Sequence, residues 1–216
     1  MAFIFTVAGI KNSGKTSLCL LLLEYLKEAD AKVAYVKHSH EKVLSSCHTD
    51  TGKALLYDIP VLYWGVDGYR YEKAGDLPLE KIQYNIEPDL DILLIEGGKS
   101  FSYPKVWIGE PEDCPSDILG VVAFYSLNSK REKETKCSRQ IFYVGEEKFL
   151  AEYILSLSRK ANPNKLTLTV EGEYIHLKPF VAEFIEGGIK GMLSSLKKIG
   201  KLNGNIEIFI KKDKRK

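Results

Sequence analysis

Gly9-Ile10-Lys11-Asn12-Ser13-Gly14-Lys15-Thr16 fits the phosphate-loop pattern G-x-x-x-x-G-K-[ST] at every fixed position, and its reading decides the fold. The flanks agree with it. Phe3 to Ala8 reads as a short buried strand, and Ser17 to Glu28 carries the leucine-rich pattern of a helix packed on a sheet. A strand, a glycine turn and a helix N-terminus, in that order, place backbone N–H groups where a phosphate is favoured. Gly9 and Gly14 let the backbone turn and approach closely. Lys15 is placed to reach the outer phosphates as a compact cation, and the Thr16 hydroxyl to ligate the accompanying magnesium. Asn12 and Ser13 complete the candidate nucleotide site within the loop. Lys11 has two readings, a further contact or a solvated side chain. The motif therefore implies a nucleoside triphosphate and Mg2+ as ligands.

Outward from the loop, the chain alternates strands and helices. A second strand over about Lys32 to Val36 leads into Lys37-His38-Ser39-His40, and Ser45 to Gly52 reads as a polar loop of active-site type. Val61 to Trp64 and Tyr69 to Glu72 flank Gly65-Val66-Asp67-Gly68 and predict a hairpin added to the sheet. Leu90 to Ile95 is a nearly continuous apolar run ending on Glu96-Gly97-Gly98-Lys99, which suits the covered centre of a parallel sheet. Further strands are expected over Gly120 to Tyr125 and Ile141 to Val144, with a helix from Glu146 to Arg159. The fold class is α/β: a P-loop NTPase with a mostly parallel, doubly wound sheet over residues 1–160.

Ala161-Asn162-Pro163-Asn164 marks a boundary, and residues 165–212 read as a small C-terminal ββαβ module. Its strands are expected over Leu166 to Val170, Tyr174 to Leu177 and Ile206 to Ile210, with a helix from Pro179 to about Leu196. Gly187, Gly188 and Gly191 within that helix imply close approach of a backbone or ligand, or a kink.

With 31 Lys and Arg against 29 Asp and Glu, a net charge of +2 gives no general case for nucleic-acid binding. The basic tail Lys211 to Lys216 reads as solvated. No apolar run reaches the ~20 residues of a membrane span, and the expectation is a cytoplasmic protein. Cys19, Cys47, Cys114 and Cys137 are too scattered for a disulfide framework and are expected to be reduced.

The phosphate loop, Lys37-His38-Ser39-His40, Gly52-Lys53, and Asp91 to Lys99 with Pro104-Lys105-Val106 recur in this order in one family. Over roughly residues 3 to 158 the chain resembles the molybdopterin-guanine dinucleotide biosynthesis protein MobB, and its C-terminal module resembles an extension of some archaeal members. The resemblance implies a GTP-binding accessory protein of molybdenum cofactor biosynthesis. It would be a weak GTPase, usually a homodimer, assisting the guanylyltransferase that attaches GMP to molybdopterin. It places Gly14, Lys15, Thr16 and Ser17 on phosphate and magnesium and Glu96 near the metal or the attacking water, with Lys15 and Glu96 as the catalytic pair. Lys37, His38, His40, Asp50, Lys53, Gly97 and Lys99 are further active-site candidates; Lys99 meets a phosphate or is solvated. For Glu96 the position itself agrees, since a carboxylate at the carboxyl end of a central strand sits in the ligand crevice of an open α/β sheet.

Three departures stand out. Lys53 is followed by Ala54 where many members carry Asp, and the nearby acid is Asp50. The strand ending Phe124-Tyr125-Ser126 closes on no acid, and no Asn-Lys-x-Asp element occurs, so guanine preference is implied by the resemblance alone. Ile10 stands where partition-type ATPases carry a second lysine. Two other classes stay open. A small-molecule kinase could use Lys130 to Lys136 and Arg139 as a cationic lid. A metallochaperone NTPase could bind a metal through His38, His40, Cys47 and His48, although that spacing matches no common structural zinc pattern.

Overall fold

The computed structural model describes residues 2–77, 82, 86, 90–128, 138–161, 166, 168–170, 173–175, 177–196, 206 and 208. Its centre is a six-stranded sheet in the order β2-β5-β1-β6-β7-β8. The strands are β1 (Phe3–Gly9), β2 (Val33–Lys37), β5 (Ile92–Glu96), β6 (Lys105–Ile108), β7 (Val121–Ser126) and β8 (Gln140–Tyr143). Every pairing among them is parallel. β1, β5 and β6 are buried along their whole length, which is why they read as apolar runs rather than as alternating strands.

Helix α1 (Lys15–Glu28) follows the phosphate loop directly. Of its many leucines the stripe Leu18, Leu22 and Leu26, with Cys19, is buried against the sheet and Leu23 is partly buried on the same core; Leu20 and Leu21 are exposed. The stripe packs with Leu150, Ala151 and Ile154 of α3 (Glu147–Ala161) against Phe5, Val7, Ile92, Leu94, Val106 and Ile108. The helix stops where Asp30 takes a positive φ of 57°. On the other face, Ile4, Leu93 and Ile95 are covered by Phe101 and Tyr103 of the β5–β6 connection, and Trp107 and Phe124 by Cys114 and Ile118.

That connection is held by a residue that looks out of place in a sheet. Lys105 opens β6 and is fully buried, and its ammonium group donates to the backbone oxygens of Lys99 at 2.9 Å and Phe101 at 2.5 Å. Burial lowers its pKa from the ordinary lysine value, and the nearby Cys114 opposes that shift. The same connection fixes Gly120. At φ +76° its backbone is left-handed, and a Cβ there would stand 2.3 Å from the Tyr103 carbonyl oxygen. Gly120→Ala is expected to cost at least ~2 kcal/mol of stability through strain plus backbone displacement, read as a lowered urea midpoint at unchanged slope. An unchanged midpoint would refute this packing.

The expected hairpin forms, as β3 (Val61–Trp64) and β4 (Tyr69–Glu72), but it is not added to the main sheet. It stands as a separate two-stranded sheet. The reason is a polar tie elsewhere: Glu72, 5% exposed, accepts from the Ser45 N–H at 3.2 Å and its hydroxyl at 2.9 Å, and meets Arg70 Nε at 3.0 Å. The polar loop ahead of it also holds a short helix the sequence reading omits, α2 (Asp50–Leu55), capped by the Thr49 hydroxyl accepting from Gly52 N–H at 3.1 Å.

In the C-terminal part, β9 (Leu168–Val170) and β10 (Glu173–Ile175) pair antiparallel, and α4 runs Pro179–Ser194. Gly187, Gly188 and Gly191 lie within that helix with nothing near a would-be Cβ, so no close neighbour among the described residues demands them. The strand expected over Ile206 to Ile210, the boundary over Ala161 to Asn164, Cys137 and the basic tail lie wholly or largely outside the described residues.

Candidate functional site

The carboxyl edge of the sheet gathers the chemistry, because parallel strands deliver all their C-terminal ends to one side. β1 ends at Gly9, whose missing Cβ is required: it would lie 2.6 Å from Ser13 Oγ and 3.2 Å from Ile108 of the neighbouring strand. Asn12 at φ 61° and Gly14 at φ 82° then curl the backbone into the start of α1. Ser13 is nearly buried, and its hydroxyl has no hydrogen-bond partner. A buried hydroxyl without a partner is uncommon, and this one lies inside the loop. Lys15 Nζ meanwhile donates to the Ile10 carbonyl at 2.5 Å, held over the loop.

Opposite the loop stands Glu96 at the end of β5, 6% exposed. Its register beside Val7 of β1 and Lys37 of β2 brings three motifs together. Glu96 accepts from the Thr16 hydroxyl at 2.9 Å and from the Tyr35 hydroxyl at 2.5 Å, with Lys37 Nζ at 3.7 Å. Burial works against its charge, yet the bonds from Tyr35 and Thr16 and the nearby Lys37 and Lys15 outweigh burial and hold the carboxyl below its ordinary pKa. Burial and the bond to Glu96 push the Tyr35 phenol up. Lys15 is lowered by burial, against the pull of Glu96 and with the push of Lys99 and Lys37. Lys37 and Lys15 thus act on one carboxylate and Lys99 acts on Lys15, an excess of positive charge suited to a polyphosphate. Burial, then Glu96, pushes the Cys19 thiol up to about 12, so it sits beneath the loop as a neutral core group.

Gly97 and Gly98 follow with positive φ values of 99° and 66°. A Cβ on Gly97 would lie 3.0 Å from the His38 carbonyl oxygen, and one on Gly98 would enter the Phe101 ring at 2.3 Å. His38 donates its N–H to the Glu96 carbonyl at 3.0 Å, and its ring meets the edges of Phe101 and His40 with centroids 5.0 and 5.3 Å apart. Lys99 lies over the Trp107 ring at 5.3 Å.

Lys15, Thr16, Lys37, His38, His40, Glu96, Gly97 and Lys99 are thereby tied into one network at this edge. Asp50 and Lys53 instead pair with each other at 3.6 Å, both exposed. Gly52 has a packing reason, since a Cβ there would lie 1.9 Å from the Ser46 carbonyl oxygen. His38, His40, Cys47 and His48 form no metal set: among the described residues no group of three or more His, Cys, Asp or Glu could hold an ion. The lid expected over Lys130 to Lys136 lies outside the described residues. Tyr35 escaped the sequence reading, although its position two residues before Lys37 puts both on one face of β2 and was the available signal.

Residues 4–55 match the family model of molybdopterin guanine dinucleotide synthesis protein B, MobB. No curated protein matches the chain. Among solved structures, MobB of Bacillus subtilis is 25% identical with a TM-score of 0.55, the match covering 71% of this chain and 96% of that one. A MobB homologue from Bacillus stearothermophilus is 20% identical with a TM-score of 0.53, covering 73% and 98%. A molybdopterin-guanine biosynthesis protein B is 20% identical with a TM-score of 0.56, covering 72% and 99%. At these identities the solved structures speak for the fold, and the segment holding the phosphate loop and Lys37-His38-Ser39-His40 speaks for the family. On both grounds the chain is similar to MobB: in family pattern over residues 4–55 and in fold over about 70% of its length.

Proposed function

We propose that this protein is a GTP-binding accessory factor of molybdopterin guanine dinucleotide formation, a weak GTPase that assists a guanylyltransferase partner. One observation carries the nucleotide part: the orphaned Ser13 hydroxyl and the lysine excess around Glu96 meet at a single helix N-terminus. The family, which takes part in molybdopterin guanine dinucleotide synthesis, supports the rest.

The donor chemistry also suits magnesium. Thr16 and Glu96 offer two hard oxygens 2.9 Å apart, and Mg2+ takes its remaining ligands from phosphate and water. When bound, the ion supplies neutralisation of the charge that develops on the phosphates. Glu96 then holds the Thr16 hydroxyl in place and orients water, while Lys15 meets the outer phosphates.

A homodimer is part of the proposal. Trp64, Tyr69 and Tyr71 are exposed on the isolated β3–β4 hairpin, which gives a second copy an apolar surface to cover. Among the described residues no helix is long and apolar enough to cross a membrane, and Cys19, Cys47 and Cys114 are free thiols, which suits work in the cytoplasm.

Calorimetric titration with GTP and ATP in magnesium tests the reading, followed by light scattering of the GTP-loaded protein alone and with a molybdopterin guanylyltransferase. GTP binding by a dimer, and a larger complex with the transferase, are expected. ATP preference, or no complex, would overturn the corresponding part.

A further inference from the structure

The site described so far handles phosphate and leaves the base without a reader. Thr16, Tyr35, Lys37 and Glu96 all gather on the β5–β2 side of β1. A nucleotide whose terminal phosphates meet that group extends the other way along the carboxyl edge, across the ends of β6 and β7. The connectivity agrees. The chain leaves β1 for β2 and leaves β6 for β7, in opposite directions, so the crevice of this open sheet lies between β1 and β6.

Directly past β6, Gly109 at φ +133° donates its N–H to the Tyr125 carbonyl at 3.0 Å and turns the chain toward the end of β7. There Glu110 Oε1 accepts from the Ser126 hydroxyl at 2.5 Å and from Asn128 Nδ2 at 3.0 Å. Ser126 Oγ in turn accepts the Asn128 backbone N–H at 3.1 Å. Ser126 is fully buried and Glu110 half-buried. The two donors fix one carboxylate oxygen and leave the other, Oε2, for a ligand. β7 itself ends on no acid; this one is delivered to it by the loop after the neighbouring strand.

We propose that Glu110, positioned by Ser126 and Asn128, reads the base of the bound nucleotide and selects guanine. This rests on the nucleotide-binding reading above. Guanine presents two adjacent donors, N1–H and the N2 amine, and Oε2 with its two lone pairs can accept from both. Adenine turns an unprotonated ring nitrogen to the same carboxylate, and two acceptors facing each other in a desolvated crevice are penalised.

Competition among GTP, ITP, XTP and ATP, with inorganic tripolyphosphate as a base-free probe, tests the assignment in the full chain and in Glu110→Gln. The unaltered protein is expected to prefer GTP over ITP by about tenfold, since hypoxanthine lacks the N2 amine. Glu110→Gln is expected to lose roughly 10- to 100-fold in GTP affinity and to gain XTP, whose C2 oxygen accepts from the new amide. Tripolyphosphate affinity stays unchanged. Should Glu110→Gln prove unstable, Glu110→Asp keeps the charge and shortens its reach, so GTP weakens while tripolyphosphate does not. A GTP, ITP and XTP ranking that Glu110→Gln leaves unaltered overturns the assignment and leaves the phosphate site standing. Failure of the unaltered protein to bind tripolyphosphate or any nucleotide overturns the nucleotide reading and this assignment with it.

Discussion

Lys15→Ala is expected to weaken GTP binding by about a hundredfold, some ~3 kcal/mol, because a charge-assisted contact to phosphate is lost in a partly desolvated loop. The fold has little stake in that side chain. Its one hydrogen bond among the described residues goes to the Ile10 carbonyl, and the core stripe of α1 begins at Leu18. A melting temperature close to the unaltered protein's, measured beside the titration, therefore separates lost contact from lost structure. Lys37 and Lys99 remain in the variant, so binding falls steeply without vanishing, and what remains is expected to fade with salt. Lys15→Arg is an instructive companion. It restores the charge but replaces a compact ammonium with a planar fork in a loop already closed by Ser13 and Ile108 against Gly9, so only partial recovery is expected. GTP binding by Lys15→Ala equal to that of the unaltered protein would remove the phosphate loop from the site.

What could be read from the chain follows from how local each cause is. The phosphate loop was legible because its glycines, lysine and threonine act within a few residues of each other, and the structure places them as the spacing requires. Glu96 was legible for a related reason: a carboxylate ending an apolar strand has few places to go in a parallel sheet. β6 was not read as a strand, because Lys-Val-Trp-Ile opens on a charge. The two carbonyls that satisfy Lys105 come from a connection whose path no local pattern reveals. The hairpin was read correctly as a pair and wrongly as part of the main sheet, because Glu72 is tied to Ser45, far away in sequence. Gly52 and Lys53 carry the resemblance as well; in the structure the glycine is fixed by a backbone contact with Ser46, and the lysine pairs with the exposed Asp50.

Glu96→Gln is expected to leave GTP binding intact or slightly tighter while lowering hydrolysis by roughly a hundredfold. The substitution keeps the size of the side chain but removes a negative charge 3.7 Å from Lys37, so the cradle becomes more attractive to polyphosphate. What is lost is an ionised acceptor for the hydroxyls of Thr16 and Tyr35 and for water. Single-turnover phosphate release beside a binding titration separates the two effects, and a loss of binding as large as that of Lys15→Ala would exclude this role. The pH dependence gives a second readout with a determined sign. The Tyr35 and Thr16 bonds help hold the Glu96 pKa below its ordinary value, so hydrolysis is retained down to a pH below that value and lost as pH falls through it. Tyr35→Phe removes one of those bonds, raises the Glu96 pKa, and should move the acid limb of hydrolysis to higher pH while sparing the plateau. Burial alone would leave the limb where it was, since Tyr35→Phe changes the environment of Glu96 chiefly by deleting a donor. A limb that does not move would show that Glu96 is not the group whose ionisation hydrolysis requires.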